Sequence, residues 1–432
     1  MDTHGEKTGI FAKKGLWIGI GAGLFILIAY ILPTPSSLVE VMEKYGYVEK
    51  MIEWEIAHTA KEASAKTMIV LGIVPMAVVF FAVEALPIGV TGILMPLMAY
   101  IFGLLPFNMI GKTFAGDAPM FMLGVFALGA TVVEVGFHKR LAVWLLGWTK
   151  GFWVPMIVLC LSMSIVGSFM SAPAMCSFMV PVMMAVYYGS VKAASPEGEV
   201  VHDPALAKYL LFSLCFALNM GGPGTPSAGG RNVIMMGFFT EYGIPITYSG
   251  WMKYGWPLVP LGSTLLLLYM ATLFSKKIKT RDLTPGLQHI KEETRRMGKM
   301  KYPEYVTAGT LFLIVALWIF GGEATGLGGP ALLALVIPVV FKTVTFEQII
   351  ERISFNAWFM YCGALTLGAL LKESGGALWL ATTFLDALSQ VGMDKGYGLW
   401  VGMSAFSGLV TNFMSDAATV ALIGPIVVPM GI

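Results

Sequence analysis

Charge is what this 432-residue sequence has least of: Asp, Glu, Lys and Arg together make up only 12% of it. Soluble globular domains carry about 25% charged residues, whereas 56% of this chain is hydrophobic. The composition therefore predicts an all-α polytopic membrane protein, because helices satisfy their own backbone groups in lipid. The formal net charge of +2, with the basic residues in loops, gives no basis for nucleic-acid binding.

Motifs for catalysis, redox chemistry and nucleotide hydrolysis are missing as well. The four cysteines stand alone inside apolar segments, without disulfide or metal spacing, and we interpret them as buried packing residues. The five histidines form no H-E-x-x-H or paired-ligand pattern, and the sequence has no Walker loop. We therefore predict a protein that is not an enzyme, has no cofactor and is not driven by ATP on its own.

Two short patterns are present twice. F-M-S-x-x-A occurs at 169–174 and again at 413–418, and a proline follows both copies at the same offset. L-G-A-x-x-x-E-x-G lies upstream of each copy, at 128–136 and 367–375. The copies are 244 and 239 residues apart, as an ancient duplication with small insertions would give. In a membrane protein this period predicts two fused halves with a site between them.

Three apolar stretches do not fit a single span of about 20 residues. Residues 154–188 are too long for one span and short for two, which predicts a re-entrant hairpin that enters and leaves the bilayer on the same side. Residues 398–429 predict a second hairpin of this kind. Residues 206–239 predict a discontinuous helix, because no continuous helix could carry the Gly- and Pro-rich centre at 221–232.

The same reading divides the whole chain into segments and single spans. The predicted segments are a cytoplasmic tail at 1–14, a first span plus repeat 1 at 15–274, a basic loop at 275–301 and repeat 2 at 302–432. Single spans are predicted at about 67–86, 87–105, 118–136, 251–274, 305–321, 328–342 and 355–371, with a polar loop at 34–66 and an interfacial helix at 345–352.

The basic loop sets the predicted orientation. It holds nine Lys or Arg against three acids, so the positive-inside rule makes it cytoplasmic. Counting spans backwards places the N-terminus in the cytoplasm and the polar loop outside. The same parity places the first hairpin on the cytoplasmic side and the second on the outer side, which is an inverted topology.

Non-helical backbone at membrane depth is tolerated only where it is buried in protein or lines a wet cavity, so the tips and the break predict a midplane site. Helix N-termini suit an anion there, and exposed carbonyls suit a small cation. Arg231 lies inside the break and Asp416 at the second tip, and charges at this depth mark functional sites. Two simpler interpretations stay open: packing kinks filled by small residues, and a static pair between Arg231 and Asp416.

At these residues the sequence resembles the divalent anion:sodium symporter family, which carries dicarboxylates, citrate and sulfate. Residues 84–91, E-A-L-P-I-G-V-T, are similar to that family's E-A-L-P-L-G-V-T, and residues 221–232 are similar to its G-G-x-A-T-x-x-G-T-P-P-N break. The resemblance covers nearly the whole chain. It implies a scaffold part and a mobile transport part in each protomer, an elevator-type motion, a homodimer, and Na⁺ as the possible coupling ion.

The resemblance also implies binding residues, because both hairpin tips hold sodium and a substrate carboxylate in that family. With the residues argued above, the predicted anion-binding set is Ser171, Ala172, Pro173, Thr225, Gly230, Arg231, Asn232, Ser415, Asp416 and Ala417. The predicted cation-binding set is Ser168, Ser171, Ala228, Gly229, Thr411, Ser415 and Asp416.

The departures from the family pattern lie at the site itself. The family has Ser-Asn-Thr at both tips, where this sequence has Ser-Ala-Pro at 171–173 and Ser-Asp-Ala at 415–417. The family's T-P-P-N is G-G-R-N at 229–232, and we expect the charge of Arg231 to replace the lost neutral donors. The family also has two more spans after the second hairpin. Either the chain continues past Ile432, or the second cation site lacks half its shell.

The sequence therefore predicts a secondary active transporter of a small anion, such as a dicarboxylate, sulfate or a related organic anion, coupled to sodium. We expect it to be multi-pass in a bacterial-type cytoplasmic membrane. One alternative is a proton-coupled or exchange carrier with Asp416 as the protonation site. Another is a non-transporting membrane partner or sensor subunit. The Asn and Thr lost from the tips favour that second alternative, and the retained Ser171, Asn232 and Ser415 disfavour it.

Overall fold

All of the secondary structure described here is helical. The computed structural model describes residues 14–137, 140, 148–170, 172–196, 201–244 and 246–431. No β-strand occurs within these residues. Five helical segments in these ranges are long and apolar enough to cross a membrane: Lys14–Ile31, Ala60–Val83, Phe107–Val135, Tyr248–Phe274 and Tyr302–Phe320. Three of them join two consecutive elements, and a sixth span results if one further bent pair is counted as a single span. These features agree with the predicted all-α polytopic membrane protein.

The helices up to the end of the first predicted hairpin are numbered α1 to α9. They are α1 (Lys14–Ile26, extended by a π-helical segment at Leu27–Ile31), α2 (Ser36–Lys44), α3 (Tyr47–Glu53), α4 (Ala60–Val83), α5 (Ile88–Ile101), α6 (Phe107–Ala115), α7 (Asp117–Val135), α8 (Trp153–Phe169) and α9 (Ala172–Ala194).

The helices of the remaining chain are numbered α10 to α22. They are α10 (Pro204–Met220), α11 (Gly230–Glu241), α12 (Tyr248–Gly255), α13 (Leu258–Phe274), α14 (Thr284–Met297), α15 (Tyr302–Phe320), α16 (Gly322–Thr325), α17 (Gly328–Val340), α18 (Phe346–Arg352), α19 (Phe355–Glu373), α20 (Gly376–Ser389), α21 (Gly396–Val410) and α22 (Asp416–Met430).

Side-chain caps begin several of these helices. The side-chain oxygens of Thr59, Asp203, Ser354 and Ser415 each accept a hydrogen bond from a backbone N–H in the first turn of the helix that follows. Such caps satisfy N–H groups that have no partner inside the helix, which is why Ser, Thr and Asp are favoured there. Local sequence therefore determines where α4, α10, α19 and α22 start.

Two segments predicted as loops contain helices. The polar segment at 34–66 contains α2, α3 and the first turns of α4, because the cap at Thr59 starts that helix before its apolar part. The basic segment at 275–301 contains the amphipathic helix α14. The predicted span at 251–274 lies within one apolar helical segment, Tyr248–Phe274, which is interrupted between α12 and α13 at Pro257, whose ring prevents a regular helical hydrogen bond.

The chain separates into two compact units. The first unit comprises Met1–Pro119, Ile234–Pro245 and Ser354–Ile432. Helix α19 lies at its centre and is buried along most of its length, packing against α5 on one side and α22 on another. The first unit is thus assembled from segments far apart in sequence around one apolar helix.

Glycines set the spacing around α19. A Cβ on Gly92 of α5 or on Gly363 of α19 would overlap the backbone of the opposite helix. The fully buried ring of Phe238 lies between Gly368 and Gly424, and a Cβ on either glycine would overlap that ring. Small residues that let helices approach closely are the usual basis of helix packing in membranes.

The second unit comprises Met120–Val233 and Ile246–Ile353. Helix α10 packs against α8, α9 and α13, around a buried core rich in methionine and leucine. The segment before α14 is anchored to the start of α10, because the Asp203 carboxylate accepts hydrogen bonds from the N–H groups of Lys279 at 2.7 Å and Thr280 at 2.9 Å. The carboxylate therefore serves both as the helix cap and as the attachment point of the basic segment.

The helices of the two predicted repeats begin at matching intervals. The first residues of α5 and α17 are 240 positions apart, those of α6 and α18 are 239 apart, and those of α7 and α19 are 238 apart. The two arms of the first predicted hairpin, α8 and α9, begin 243 and 244 positions before α21 and α22. Five pairs of helices therefore begin at intervals similar to those of the two sequence patterns.

We predict that Gly368→Ala destabilises the protein by about 1–3 kcal/mol, because the added methyl overlaps the confined Phe238 ring. The matched control is Gly129→Ala, at the equivalent position of the repeated L-G-A pattern, where a Cβ meets no atom within 4 Å. Alanine favours a helix over glycine by about 1 kcal/mol, so the control should be neutral or slightly stabilising. Thermal unfolding of the purified variants in detergent measures both, and equal effects would contradict the packing account.

Candidate functional site

The backbone is irregular between α10 and α11. α10 ends just before Gly221, a 3₁₀ turn spans Pro226–Ala228, and α11 begins at Gly230. The N–H of Gly224 donates to the carbonyl of Gly221 at 3.0 Å, and Pro226 has no N–H that needs a partner. The helix is therefore interrupted within the stretch where the sequence predicts it.

Helix α8, the first arm of the predicted hairpin, lies directly against this break. A Cβ on Gly167 would lie 2.6 Å from the carbonyl oxygen of Leu218, and a Cβ on Gly221 would overlap the carbonyl oxygen of Ser164. The hydroxyl of Ser168 lies 3.0 Å from the carbonyls of both Gly221 and Ser164, so its one proton is shared between the break and its own helix. Such a close approach of two backbones is possible only because both positions are glycine.

A chain of hydroxyl groups continues from this contact. Thr225 is fully buried, and its hydroxyl donates to the carbonyl of Ser168. Since a hydroxyl has one proton, the Ser227 hydroxyl 3.0 Å away must donate to Thr225 and in turn accept from Tyr248, whose hydroxyl is 2.9 Å from it. The Tyr248 ring stacks on Trp318 with 4.8 Å between centroids. The end of α8 is thus tied through the break to α12 and α15.

Asn232 closes the break from the other side. Its Nδ2 donates to the carbonyls of Gly222 at 2.7 Å and Thr225 at 2.8 Å, and the residue is only 5% exposed. These two bonds use both protons of the amide nitrogen. Asn232, predicted as a substrate ligand, therefore holds the two ends of the irregular segment together through its amide.

The side chain of Arg231 makes different contacts from that of Asn232. Its guanidinium lies directly against Gly222, where a Cβ would overlap Nη2. The aliphatic part of the side chain lies near Gly229, where a Cβ would be 3.9 Å from Arg231 Cγ, an ordinary van der Waals distance. Arg231 is half-buried and lies in the first turn of α11, the positive end of the helix dipole. The geometry therefore concentrates positive charge at this end of the break.

The second predicted tip lies in the first unit, between α21 and α22. The Ser415 hydroxyl accepts from the N–H of Ala418 at 3.3 Å, and the Asp416 carboxylate accepts from the Thr411 hydroxyl at 2.9 Å. Ser415 and Asp416 are exposed on the unit that carries them. A carboxylate and a hydroxyl thus lie next to each other at the start of α22.

The predicted residues fall into two groups, one in each unit. The break group is Ser168, Thr225, Ala228, Gly229, Gly230, Arg231 and Asn232, and the tip group is Thr411, Ser415, Asp416 and Ala417. Ala172 and Pro173 form the start of α9, and Ser171 lies outside the described residues. The role predicted for Ser171 in anion and cation binding therefore stays a prediction.

Sequence reasoning missed three side chains that hold the break in place: Ser164, Tyr248 and Trp318. The Ser164 hydroxyl donates to the carbonyl of Ala217 at 2.7 Å, one turn before the break. Nothing in the local sequence marks these residues, since the break and the helices that carry them are far apart in the chain.

Comparison with known proteins places these features in a family. A family model described as "Citrate transporter" matches residues 78–431, which include both candidate groups. The match therefore covers most of the chain.

Individual relatives are distant. An uncharacterized transporter of Haemophilus influenzae is 24% identical over 373 residues, covering 82% of this chain and 75% of the relative. The sodium-dependent high-affinity dicarboxylate transporter 3 of Caenorhabditis elegans is 21% identical over 393 residues, covering 81% and 68%. The sodium-dependent dicarboxylate transporter SdcS of Staphylococcus aureus strain USA300 is 23% identical over 390 residues, covering 85% and 73%.

We predict that Thr225→Val destabilises the protein by about 1–3 kcal/mol, because it removes the donor to Ser168 and leaves a buried hydroxyl without its acceptor. The matched control is Thr264→Val on α13, whose exposed hydroxyl donates only to a carbonyl of its own helix, so stability should change by less than about 0.5 kcal/mol. Thermal unfolding in detergent compares the two, and a stable Thr225→Val variant would show that the hydroxyl chain does not hold the break.

Proposed function

The chain belongs to the citrate transporter family, and from this premise we propose that it is a secondary active transporter of a small anion coupled to sodium. We take the anion to be a di- or tricarboxylate, sulfate or a related organic anion. The observation that carries the proposal is a helix interruption held in shape by side chains of its own unit, with Arg231 at the start of the following helix. Transporters place substrate at such interruptions, because half-helix N-termini attract anionic groups.

We assign the anion contact to Arg231 rather than to Asn232 or Thr225. A guanidinium offers a planar fork that pairs with two oxygens of a carboxylate or sulfate. Gly222 gives the guanidinium room against the backbone, and Gly229 places no side chain against its aliphatic part. Asn232 and Thr225 act indirectly in this proposal, because their donor groups already hold the break together.

We assign the coupling cation to the second tip. The hydroxyl of Thr411 and the carboxylate of Asp416 are oxygen ligands that lie next to each other, and the carboxylate supplies the negative charge that a sodium ion needs nearby. The printed names of two relatives, sodium-dependent dicarboxylate transporters, support sodium for this chain. Ser168 is a weaker candidate, since its carbonyl and its hydroxyl both take part in holding the break.

We further propose two repeats of inverted topology, each with a re-entrant hairpin. The matching intervals between helix starts support the repeats, and the basic segment around α14 supports a cytoplasmic side for the first hairpin and the N-terminus. The elevator-type motion and the homodimer follow from the family resemblance, and we include them in the proposal on that ground.

The proposal predicts that an inward sodium gradient drives accumulation of labelled citrate or succinate in proteoliposomes. Arg231→Lys should weaken the apparent anion affinity about tenfold or more, because it keeps the charge but loses one charge-assisted hydrogen bond of roughly 1.5–3 kcal/mol. Arg281→Lys, an exposed arginine that donates to the carbonyl of Ser275, is the matched control and should leave affinity unchanged.

Other results would overturn the proposal in distinct ways. Accumulation driven by a pH gradient, and abolished by Asp416→Asn, would favour the proton-coupled alternative. Absence of uptake and of exchange for every anion tested would favour a non-transporting partner. Full affinity in Arg231→Lys would remove the arginine from the anion site while leaving the transporter class intact.

A further inference from the structure

Two of the four cysteines lie side by side next to the candidate site. The sulfur atoms of Cys176 in α9 and Cys215 in α10 are 3.4 Å apart, although 39 positions separate them in the sequence. Cys176 lies in the second turn of α9, just after the first hairpin tip, and Cys215 lies five residues before α10 ends at the break. Both sulfurs are therefore within roughly 8 Å of the helix ends that flank the site, at 1.5 Å rise per residue.

The environment of this pair differs from that of the other two cysteines. Cys160 and Cys362 are buried, as expected for packing residues, whereas Cys176 and Cys215 are only half-buried. Thiol chemistry needs access to a reagent as well as proximity of the sulfurs. The packing interpretation therefore fits Cys160 and Cys362, while the other two form a pair of partly exposed thiols.

Cys176 and Cys215 lie where α9, the second arm of the predicted hairpin, packs against α10. The first arm, α8, is already tied to α10 by hydrogen bonds from Ser164 to Ala217 and from Ser168 to Gly221. Near the tip, the second arm, α9, meets α10 through the two sulfurs. A covalent bond at this point would attach both arms of the hairpin to the same half of the interrupted helix.

We propose that Cys176 and Cys215 form a modification site, in which a small disulfide oxidises the two thiols to a disulfide that stops transport. The thiolate of one cysteine attacks the reagent's S–S bond, a protein–reagent mixed disulfide forms, and one reagent thiol leaves. The second cysteine then attacks its partner's sulfur and releases the other reagent thiol. Two electrons pass from the protein to the reagent, and the protons of the two cysteines end on the released thiols.

The geometry requires little movement for this reaction. The sulfurs must approach from 3.4 Å to about 2.05 Å, a change of about 1.4 Å. The effect on transport rests on the proposed function, because it assumes that α9 separates from α10 when the hairpin opens to admit the anion. The oxidation itself does not depend on that function.

The test uses the full-length protein in proteoliposomes, with oxidised glutathione as the reagent. Mass spectrometry of unreduced digests should find the peptides of Cys176 and Cys215 joined, and dithiothreitol should separate them. Counterflow of labelled citrate should fall at least about fivefold on oxidation and recover on reduction, because a hairpin that cannot open cannot complete a turnover. Cys176→Ala and Cys215→Ala should keep counterflow and lose its sensitivity to the reagent, whereas Cys160→Ala should stay sensitive.

Each of the other outcomes contradicts one part of the proposal. Absence of the joined peptides, with counterflow intact, overturns the modification site. Joined peptides without a change in counterflow contradict the proposed inhibition of transport. Inhibition that persists in Cys176→Ala places the oxidised group elsewhere. If untreated protein transports no anion but the peptides are joined, the proposed function fails and the thiol site stands.

Discussion

The structure depends on one constraint: an interrupted helix inside an apolar protein must find partners for its backbone groups. In this chain buried side chains supply several of those partners. The amide of Asn232 donates hydrogen bonds to two carbonyls. The hydroxyl of Thr225 donates to the carbonyl of Ser168, and the hydroxyl of Ser168 lies within hydrogen-bond distance of the carbonyl of Gly221. Because each group is already engaged, the irregular segment can keep its shape without a ligand.

The same constraint explains why several conspicuous polar residues are not the best ligand candidates. Thr225 and Asn232 are almost completely buried, and their donors are used within the break. Arg231 lies at the edge of this arrangement, with glycine on both sides of it in space, at Gly222 and Gly229. Neutral side chains thus hold the backbone of the break, while Arg231 adds positive charge in the first turn of α11.

Sequence reasoning could predict the helices and the position of the break, since apolar runs, caps, glycines and prolines act locally. It could not predict that Tyr248 and Trp318 support the break, because that chain of contacts joins segments about 20 to 90 residues apart without any local pattern. The short helices α2 and α3 were missed because they are polar and few of their residues are buried. The proximity of Cys176 and Cys215 could not be predicted from the sequence either, because it results from the packing of α9 on α10.

Hydrogen–deuterium exchange of the break tests most directly whether it is preformed. The measurement follows the backbone amides of residues 221–232 in detergent, without sodium and without any anion. The account predicts slow exchange, within about tenfold of the amides in the middle of α10, because local opening would have to break several buried hydrogen bonds together. Rapid exchange that slows only when citrate is added would contradict it, since the break would then be formed by its ligand.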